Sequence, residues 1–492
     1  VPSEMTGASD SDVVRRERFS GGPARSFLSS LAADERIFQA DLAVDRAHVI
    51  MLAEQDIVTD DEAATILQAL DVVEVEEHAG LPEGEDIHAA IETSVIDQVG
   101  PVGGKMHTAR SRNDEVAACI RYRLREDLID AIEATLVCRE ALLDVATEHT
   151  ETVMPGYTHL QPAQPTTVAH WACSYQQALA RDTARLSEAY ARVDQSPLGA
   201  AAFAGTTFDI DRERVAELLG FDGVLENATD ASATRDFLVE TAAALATLAT
   251  TLSGLAEDVL VFANKGLIDL ADDYSSTSSI MPQKVNPDTL ELVRGTAGDA
   301  SAGLNGLLTT LKGLPRAYNR DLQRATPHVW TSVDAVTEAT RVAAGAVATA
   351  DWPEEALEAA AGEGFSTATG VADLLAASGI PFRTAHEVLA LAAEAAEEGG
   401  TPSYDLVAAA TEEVLDEPLS TYVSEEAVAT ALDPVSNVAA RDSLGGPAPE
   451  TVVDHLDTAS ESLDADETVL ADLVASLDDA NDDLRAEVTA YV

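Results

Sequence analysis

Three short polar stretches, far apart in the chain, hold the residue types from which proton-transfer chemistry is built. The first to stand out is Ser278-Ser279-Ile280-Met281-Pro282-Gln283-Lys284-Val285-Asn286-Pro287-Asp288, which joins two hydroxyls, two amides and a lysine in a segment with no apolar period. Lys284 is one of only four lysines, with Lys105, Lys265 and Lys312, so it is no casual surface charge. Asn286 and Pro287 read as the N-cap and first residue of a helix. A loop that feeds a helix start attracts negative charge through its lysine and the unpaired N–H groups of the first turn. In such a field the alkoxide of Ser278 is stabilised, and a serine becomes a candidate base. A helix-capping loop that is merely polar accounts for the same residues.

The second stretch runs from Gly103 through Lys105, His107, Arg110, Ser111, Arg112 and Asn113 to Asp114, just before a long apolar-periodic segment. Arginine offers a planar fork for a carboxylate, and asparagine supplies both a donor and an acceptor. An arginine-rich helix start pairing with local acids explains these residues equally well. The third stretch, Met154 to Pro165, carries Thr158, His159, Gln161 and Gln164 among three prolines, which forbid a continuous helix and predict a polar loop. A histidine there is placed to move protons near neutral pH.

Long helices must position these loops. Ile120, Leu124, Leu128, Ile132 and Leu136 recur every four residues, and apolar spacing continues to Val145 before Met154-Pro155-Gly156 breaks it. Further helices are predicted over Thr166–Val193, Asp230–Lys265, Pro287–Lys312 and, from a Thr326-Pro327 start, to Ala350. Helices of this length need one another, so the expectation is an extended bundle in an oligomer. Before the bundle, helical spacing shows near Leu42–Leu52 and Ala63–Val73. Beyond about Trp352 come shorter Ala- and Glu-rich helices, then a final helix from about Glu450 with an acidic outer face. No strand-helix alternation and no glycine-rich phosphate loop supports a dinucleotide or nucleotide fold.

The 492 residues exceed one core and suggest roughly three domains. With 87 acidic against 30 basic residues the net charge is −57, which argues against nucleic acid or an anionic membrane as partner. Because the acids are spread along the chain and lysine is nearly absent while arginine is kept, the surface reads as one adapted to a high-salt cytoplasm. Cys119, Cys138 and Cys173 are far apart without metal-ligand spacing, as in a reducing compartment. The first twenty residues are polar, without the apolar run of a signal peptide, and the uncharged run Thr241–Ala256 is short of a membrane span. A soluble cytoplasmic protein is expected.

Taken together and in order, the three loops resemble the fumarase/aspartase superfamily and, within it, the argininosuccinate lyases. The likeness runs from about Ser26 to Leu456. It is carried by His107–Asp114, Met154–Pro165, Ser278–Glu291, Leu311–Gln323 and Ile380–Glu387. It implies a mostly α fold of three domains, residues 1–108, 109–353 and 354–492, with the central helices assembled into a homotetramer whose sites each draw loops from three subunits. The implied reaction is reversible anti elimination of argininosuccinate to arginine and fumarate through a carboxylate-stabilised carbanion, with no metal or organic cofactor.

By matching positions, the resemblance assigns Ser278 as base and His159 as acid, roles that sequence leaves interchangeable. Lys284 and Asn286 stand at the developing dianion, and Glu291 orients His159 across subunits. The substrate-binding set is Ser30, His107, Arg110, Arg112, Asn113, Thr158, Gln161, Ser279, Tyr318 and Gln323. Three positions depart from the family pattern. Thr277 stands where glycine is usual, Thr326 where lysine is usual (with Arg324 as a candidate replacement charge), and Val44-Asp45 where Gly-Ser is usual. A lyase acting on adenylosuccinate and a catalytically silent paralogue are the competing readings. The form of the Asn113 loop weighs against the first, and intact Ser278, His159 and Lys284 weigh against the second.

Overall fold

The computed structural model describes residues 23–396 and 400–492; the polar segment 1–20, read above as lacking a signal peptide, lies outside the described residues. The chain opens with α1 (Pro23–Leu28), α2 (Phe38–Glu54), α3 (Asp60–Glu76) and α4 (Ile87–Val99). A capping box at Thr59 and Glu62 starts α3, and the Asp86 side chain caps α4 by accepting from the Ala89 N–H. The bundle follows: α5 (Arg112–Glu148), α6 (Val168–Val193), the short α7 (Arg212–Leu218) and α8 (Ala228–Ala233), then α9 (Asp236–Lys265), α10 (Asp288–Leu311) and α11 (Thr326–Ala348). The last part comprises α12 (Glu354–Ala361), α13 (Ala368–Ala377), α14 (Phe382–Ala395), α15 (Tyr404–Leu415), α16 (Glu425–Leu432), α17 (Pro434–Ala439) and α18 (Pro449–Tyr491).

The four-residue spacing read in α5 is its packing face: Ile120, Leu124, Leu128, Ile132 and Leu136 are all buried. Each such side chain stabilises the bundle by roughly 1.5–3 kcal/mol through apolar burial. α5 begins at a second capping box, Ser111 with Asp114, and α9 ends at Gly266 in the left-handed region, φ 70°, where a Cβ would be strained. α9 is long and apolar enough by composition to cross a membrane. Here it is the central strut, with α6, α10 and α11 packed around it.

Two predicted helix starts shift. α10 begins at Asp288, because Asn286 pairs in a strand and Pro287 is the N-cap. α11 begins at Thr326 with Ala325 before it, so the Thr326 hydroxyl caps nothing. The proline-rich stretch is a β-hairpin, β1 (Val153–Thr158) with β2 (Gln161–Thr167), where a loop was expected. Two-residue strands add β3 (Gln195–Ser196) parallel to β4 (Gly223–Val224), and β5 (Ser276–Thr277) antiparallel to β6 (Val285–Asn286).

Among the described residues three large apolar cores result, beside a small cluster of Val153, Ala361 and Val438. One fills the bundle, one lies among α2, α3, α4 and the start of α5, and one lies within 371–428. α18 packs outside the third core: Val452, Ala459 and Leu463 enter the bundle core, and Leu484 and Val488 enter the core among α2, α3 and α4. The three cysteines are free and buried, as read from their spacing.

Candidate active site

Five of the sequence-selected residues meet at one end of the bundle. Ser30, Arg112, Asn113, Tyr318 and Gln323 line a single cavity, together with Asp34, Glu85, Asp86, His88, Arg235, Arg320, Thr326 and Trp330, which the sequence reading had not placed in the site. The walls come from the turn before α2, the start of α4, the start of α5, the residue before α9 and the segment between α10 and α11. Most of these groups are already held. Ser30 Oγ donates to Asp34 Oδ2 at 2.7 Å, and the Ile87 N–H donates to the same oxygen at 3.3 Å. Arg112 Nη1 lies 3.4 Å from Asp86 Oδ2, and Arg320 pairs with Glu85. Asn113 Nδ2 donates to the Ala202 carbonyl at 3.0 Å, and Gln323 Nε2 donates to that of Leu28 at 3.2 Å. Arg235 is buried with no acidic side chain bonded to it among the described residues, and burial pulls its guanidinium down to about 10. Burial raises the carboxyl of Asp34 and the phenol of Tyr318.

The cavity thus offers carboxylates (Asp34, Asp86) for cationic groups and guanidiniums (Arg112, Arg235) for carboxylates. Arg324, the suggested replacement for the lysine absent at 326, is not in the lining and stacks toward Phe27; within that segment it is Arg320 that reaches the cavity. Sequence signals for the additional residues existed. Asp34 follows Ser30 by four residues, and Glu85-Asp86-Ile87-His88 is a polar run just before an apolar helix.

Arg110 requires a correction. Its side chain is buried beneath the cavity, with Nη2 2.5 Å from Asp45 Oδ1 and 2.9 Å from Glu115 Oε1, so it is committed inside the protein and not to substrate. His107 stays outside the lining, 3.9 Å from Glu92, with its imidazole pulled down to about 4 by burial and by Arg110 and Arg112. Among the described residues, the sets with metal-ligand spacing are Asp41, His88 and Cys119, and Asp41, Asp45 and Glu115. The Arg110 guanidinium already bridges two of those carboxyls, so the positive charge a metal would bring is present.

The other predicted residues lie at the opposite end of the bundle, on the two hairpins. Thr158 pairs with Gln161, and His159 and Leu160 form the turn with φ 56° and 58°, a conformation that costs a non-glycine residue about 1–2 kcal/mol. Tyr157 anchors the hairpin against Phe262 and Lys265 at the end of α9 and leaves Thr158, His159 and Gln161 exposed. In the β5–β6 loop the Ser278 N–H donates to the Lys284 carbonyl at 3.1 Å, closing the loop. Ser278 Oγ accepts from the Met281 N–H at 3.1 Å and the Ile280 N–H at 3.4 Å. Two backbone donors on one hydroxyl oxygen favour its anionic form. Ser279 and Lys284 are exposed, Asn286 is half-buried in β6, and Glu291 is exposed in the first turn of α10.

The helices set the separation. The 30 residues of α9 run from Arg235 at the cavity to Lys265 at the hairpin, about 45 Å at 1.5 Å per residue. The 24 residues of α10 separate the Ser278 loop from the Tyr318 segment by about 36 Å. One chain therefore does not bring Ser278 or His159 to its own cavity.

A lyase family model matches residues 25–301, which include all three loops, and a model of the argininosuccinate lyase C-terminal region matches residues 365–439. The class that fold and site define is that of the helical lyases. The chain is 69% identical to an argininosuccinate lyase of Natronomonas pharaonis over 489 residues and 66% identical to one of Haloarcula marismortui over 492 residues, in both cases covering 99% of each chain. It also matches the crystal structure of an EDDS lyase in complex with formate, with a TM-score of 0.87, 35% identity and 96% of each chain covered. The chain belongs to the argininosuccinate lyase family.

Proposed function

We infer that the chain catalyses the reversible elimination of argininosuccinate to arginine and fumarate, a carbon–nitrogen lyase reaction of arginine biosynthesis. One observation carries the reading on chemical grounds: a cavity that holds acids and guanidiniums side by side suits a substrate with a cationic guanidinium at its centre and carboxylates at its ends. The barrier is that of a carbon acid. The proton on the succinyl carbon beside a carboxylate is weakly acidic, so the carbanion forms only where the carboxylate's growing charge is held.

Ser278 takes that proton, its alkoxide favoured by the N–H groups of Ile280 and Met281. Lys284 and Asn286 face the dianion, and His159, oriented by Glu291, protonates the departing guanidinium nitrogen. Ser279, Thr158 and Gln161 hold the succinyl part from the hairpin side, while Ser30, Arg112, Asn113, Tyr318 and Gln323 bind from the cavity side. The same chemistry runs with Ser278 and His159 exchanged as acid and base.

This division requires several copies of the chain. A homotetramer in which one copy supplies the cavity and others supply the hairpins is supported by the length of α9 and α10 and by exposed Leu292 and Leu308 on α10. The chain is read as three units, 1–108, 109–353 and 354–492, with α18 reaching back from the third. Buried free thiols agree with a reducing cytoplasm.

The experiment follows fumarate absorbance in molar KCl with argininosuccinate and, separately, adenylosuccinate. Fumarate from the first alone is the expected result. Release only from adenylosuccinate, or from neither, overturns the reading.

A further inference from the structure

We propose that Asp45 and Glu115 are positioning residues for the elimination: they retain one proton between them beneath the cavity and, through Arg110, fix the first turn of α5, which carries Arg112 and Asn113. The kinetic part of this inference rests on the lyase reading above; the proton itself does not.

The cluster joins four segments. Asp41 and Asp45 come from α2, His88 from α4, Arg110 from the residue pair before α5, and Glu115 from its first turn. Carboxylate oxygens of Asp41, Asp45 and Glu115 lie within 4.8 Å of one another, and each of the three residues is at most 1% exposed. Two cations face them. Arg110 bridges Asp45 and Glu115, while His88 Nδ1 is 2.8 Å from Asp41 Oδ2 and 3.7 Å from Glu115 Oε1. Burial alone would discharge His88, but the adjoining carboxylates of Asp41 and Glu115 hold it charged, at about 10.

The remaining neighbours bring no further positive charge. His48 on α2, bonded to the Thr108 carbonyl at 2.8 Å, is kept neutral by burial and by Arg110. Cys119 on α5 donates its thiol hydrogen to Asp41, and burial together with that carboxylate pushes it up. Glu92 on α4 and His107 before α5 pair at the rim, and Asp86 adds one more acid beside His88.

Three carboxylates against two cations leave one negative charge too many for a space closed to water, and the least costly remedy is a retained proton. Asp41 is not its seat. Accepting from both His88 and Cys119, it is held below the usual carboxylate range despite its burial. Asp45 and Glu115 share a single guanidinium nitrogen, and burial drives both above that range. Glu115 Oε2 and Arg110 Nη1 and Nε have no hydrogen-bond partner, so the net charge here is not quenched by other polar groups.

Loss of the proton places an uncompensated charge under the start of α5. It pulls Arg110 unevenly and repels a substrate carboxylate approaching Arg112 and Asn113. Binding weakens, while the distant groups that transfer protons are untouched.

The test measures KM and kcat from about pH 6.5 to 9.5 in molar KCl for the wild type, Glu115→Gln and Asp45→Asn, whose amides imitate the protonated carboxyl. Wild-type KM is expected to rise about tenfold or more toward the alkaline end with a smaller change in kcat, and the amide variants to hold KM within about twofold. Glu115→Ala, which loses the Arg110 contact as well as the proton, is expected to raise KM at every pH, and glutamine to rescue it. Superimposable KM profiles for wild type and both amide variants overturn the proposal.

Thermal midpoints against pH supply a readout without turnover. A carboxyl whose folded pKa lies above its unfolded value contributes stability below the unfolded pKa, and that stability is lost as pH rises through the folded one. The wild-type midpoint should therefore fall more steeply between about pH 5 and 8, and level off above, than that of either amide variant. Equal slopes overturn the shared proton. If the wild type releases no fumarate, the lyase reading fails and the thermal slopes still decide the proton. If Glu115→Gln does not fold, Asp45→Asn carries both measurements.

Discussion

The two ends of the helical bundle are built on opposite rules. At the cavity end, polar side chains are paired within the chain before any substrate arrives: Ser30 with Asp34, Arg112 with Asp86, Arg320 with Glu85. At the hairpin end, His159 and Lys284 stand in solvent on short turns, and the bonds that are made serve the backbone of the loop itself. The difference fits the proposal that binding and chemistry are prepared separately. A preorganised cavity lowers the cost of orienting a flexible, multiply charged substrate. In the proposed homotetramer an exposed hairpin would keep its reactive groups from being satisfied by the wrong partner until assembly brings the right one.

The largest effect that separates the two ends is expected from Ser278→Ala. Loss of the base should lower kcat by about 10³-fold or more, with helical circular dichroism and substrate affinity little changed, since the cavity is elsewhere. Retained turnover removes Ser278 from the reaction. A second measurement breaks the comparison if it is wrong: Ser278→Ala and Asn113→Ala chains are inactive or weak alone, but after mixing and reassembly should recover roughly a quarter of wild-type activity by random combination. Absence of any recovery would mean that cavity and hairpins of one site belong to the same chain.

The smallest expected effect concerns the surface that both ends share. Lowering KCl from molar to millimolar unscreens the net charge of −57 and should lower the thermal midpoint by several degrees. A midpoint that ignores salt excludes the high-salt reading of the acidic composition.

The long helices were legible because each buries one apolar stripe, and a four-residue spacing such as Ile120 to Leu136 has few other solutions. The hairpins were not. Pro155, Pro162 and Pro165 rule out helix but leave strand and loop undivided, and nothing local announces that His159 and Leu160 both take positive φ. The starts of α10 and α11 were misread for a related reason: Asn286 and Thr326 are good capping residues by type, but β-pairing claims one and a helical Ala325 precedes the other.

At the site, sequence reading picked out residues that the fold brings to one cavity where they follow family motifs, such as Arg112 with Asn113 and Tyr318 with Gln323. It failed for Arg110, whose fate is set by Asp45 on another helix, and for Arg235, which is a lone arginine until the fold turns it inward. The charge balance of a buried cluster is a sum over segments distant in the sequence, and no single stretch contains it.

The lengths of α5, α9 and α10 bear on which changes the family can tolerate. These three act as parallel struts between the cavity and the hairpins, so one residue inserted into a single strut would shift its far end by about 1.5 Å and turn it by about 100° against its neighbours. In the proposed homotetramer such an insertion would spoil a site in another copy of the chain while leaving the local helix intact. Length variation should therefore gather in the connections and the third core, and the spacing of the struts should behave as a fixed gauge to which every copy in the proposed assembly is cut.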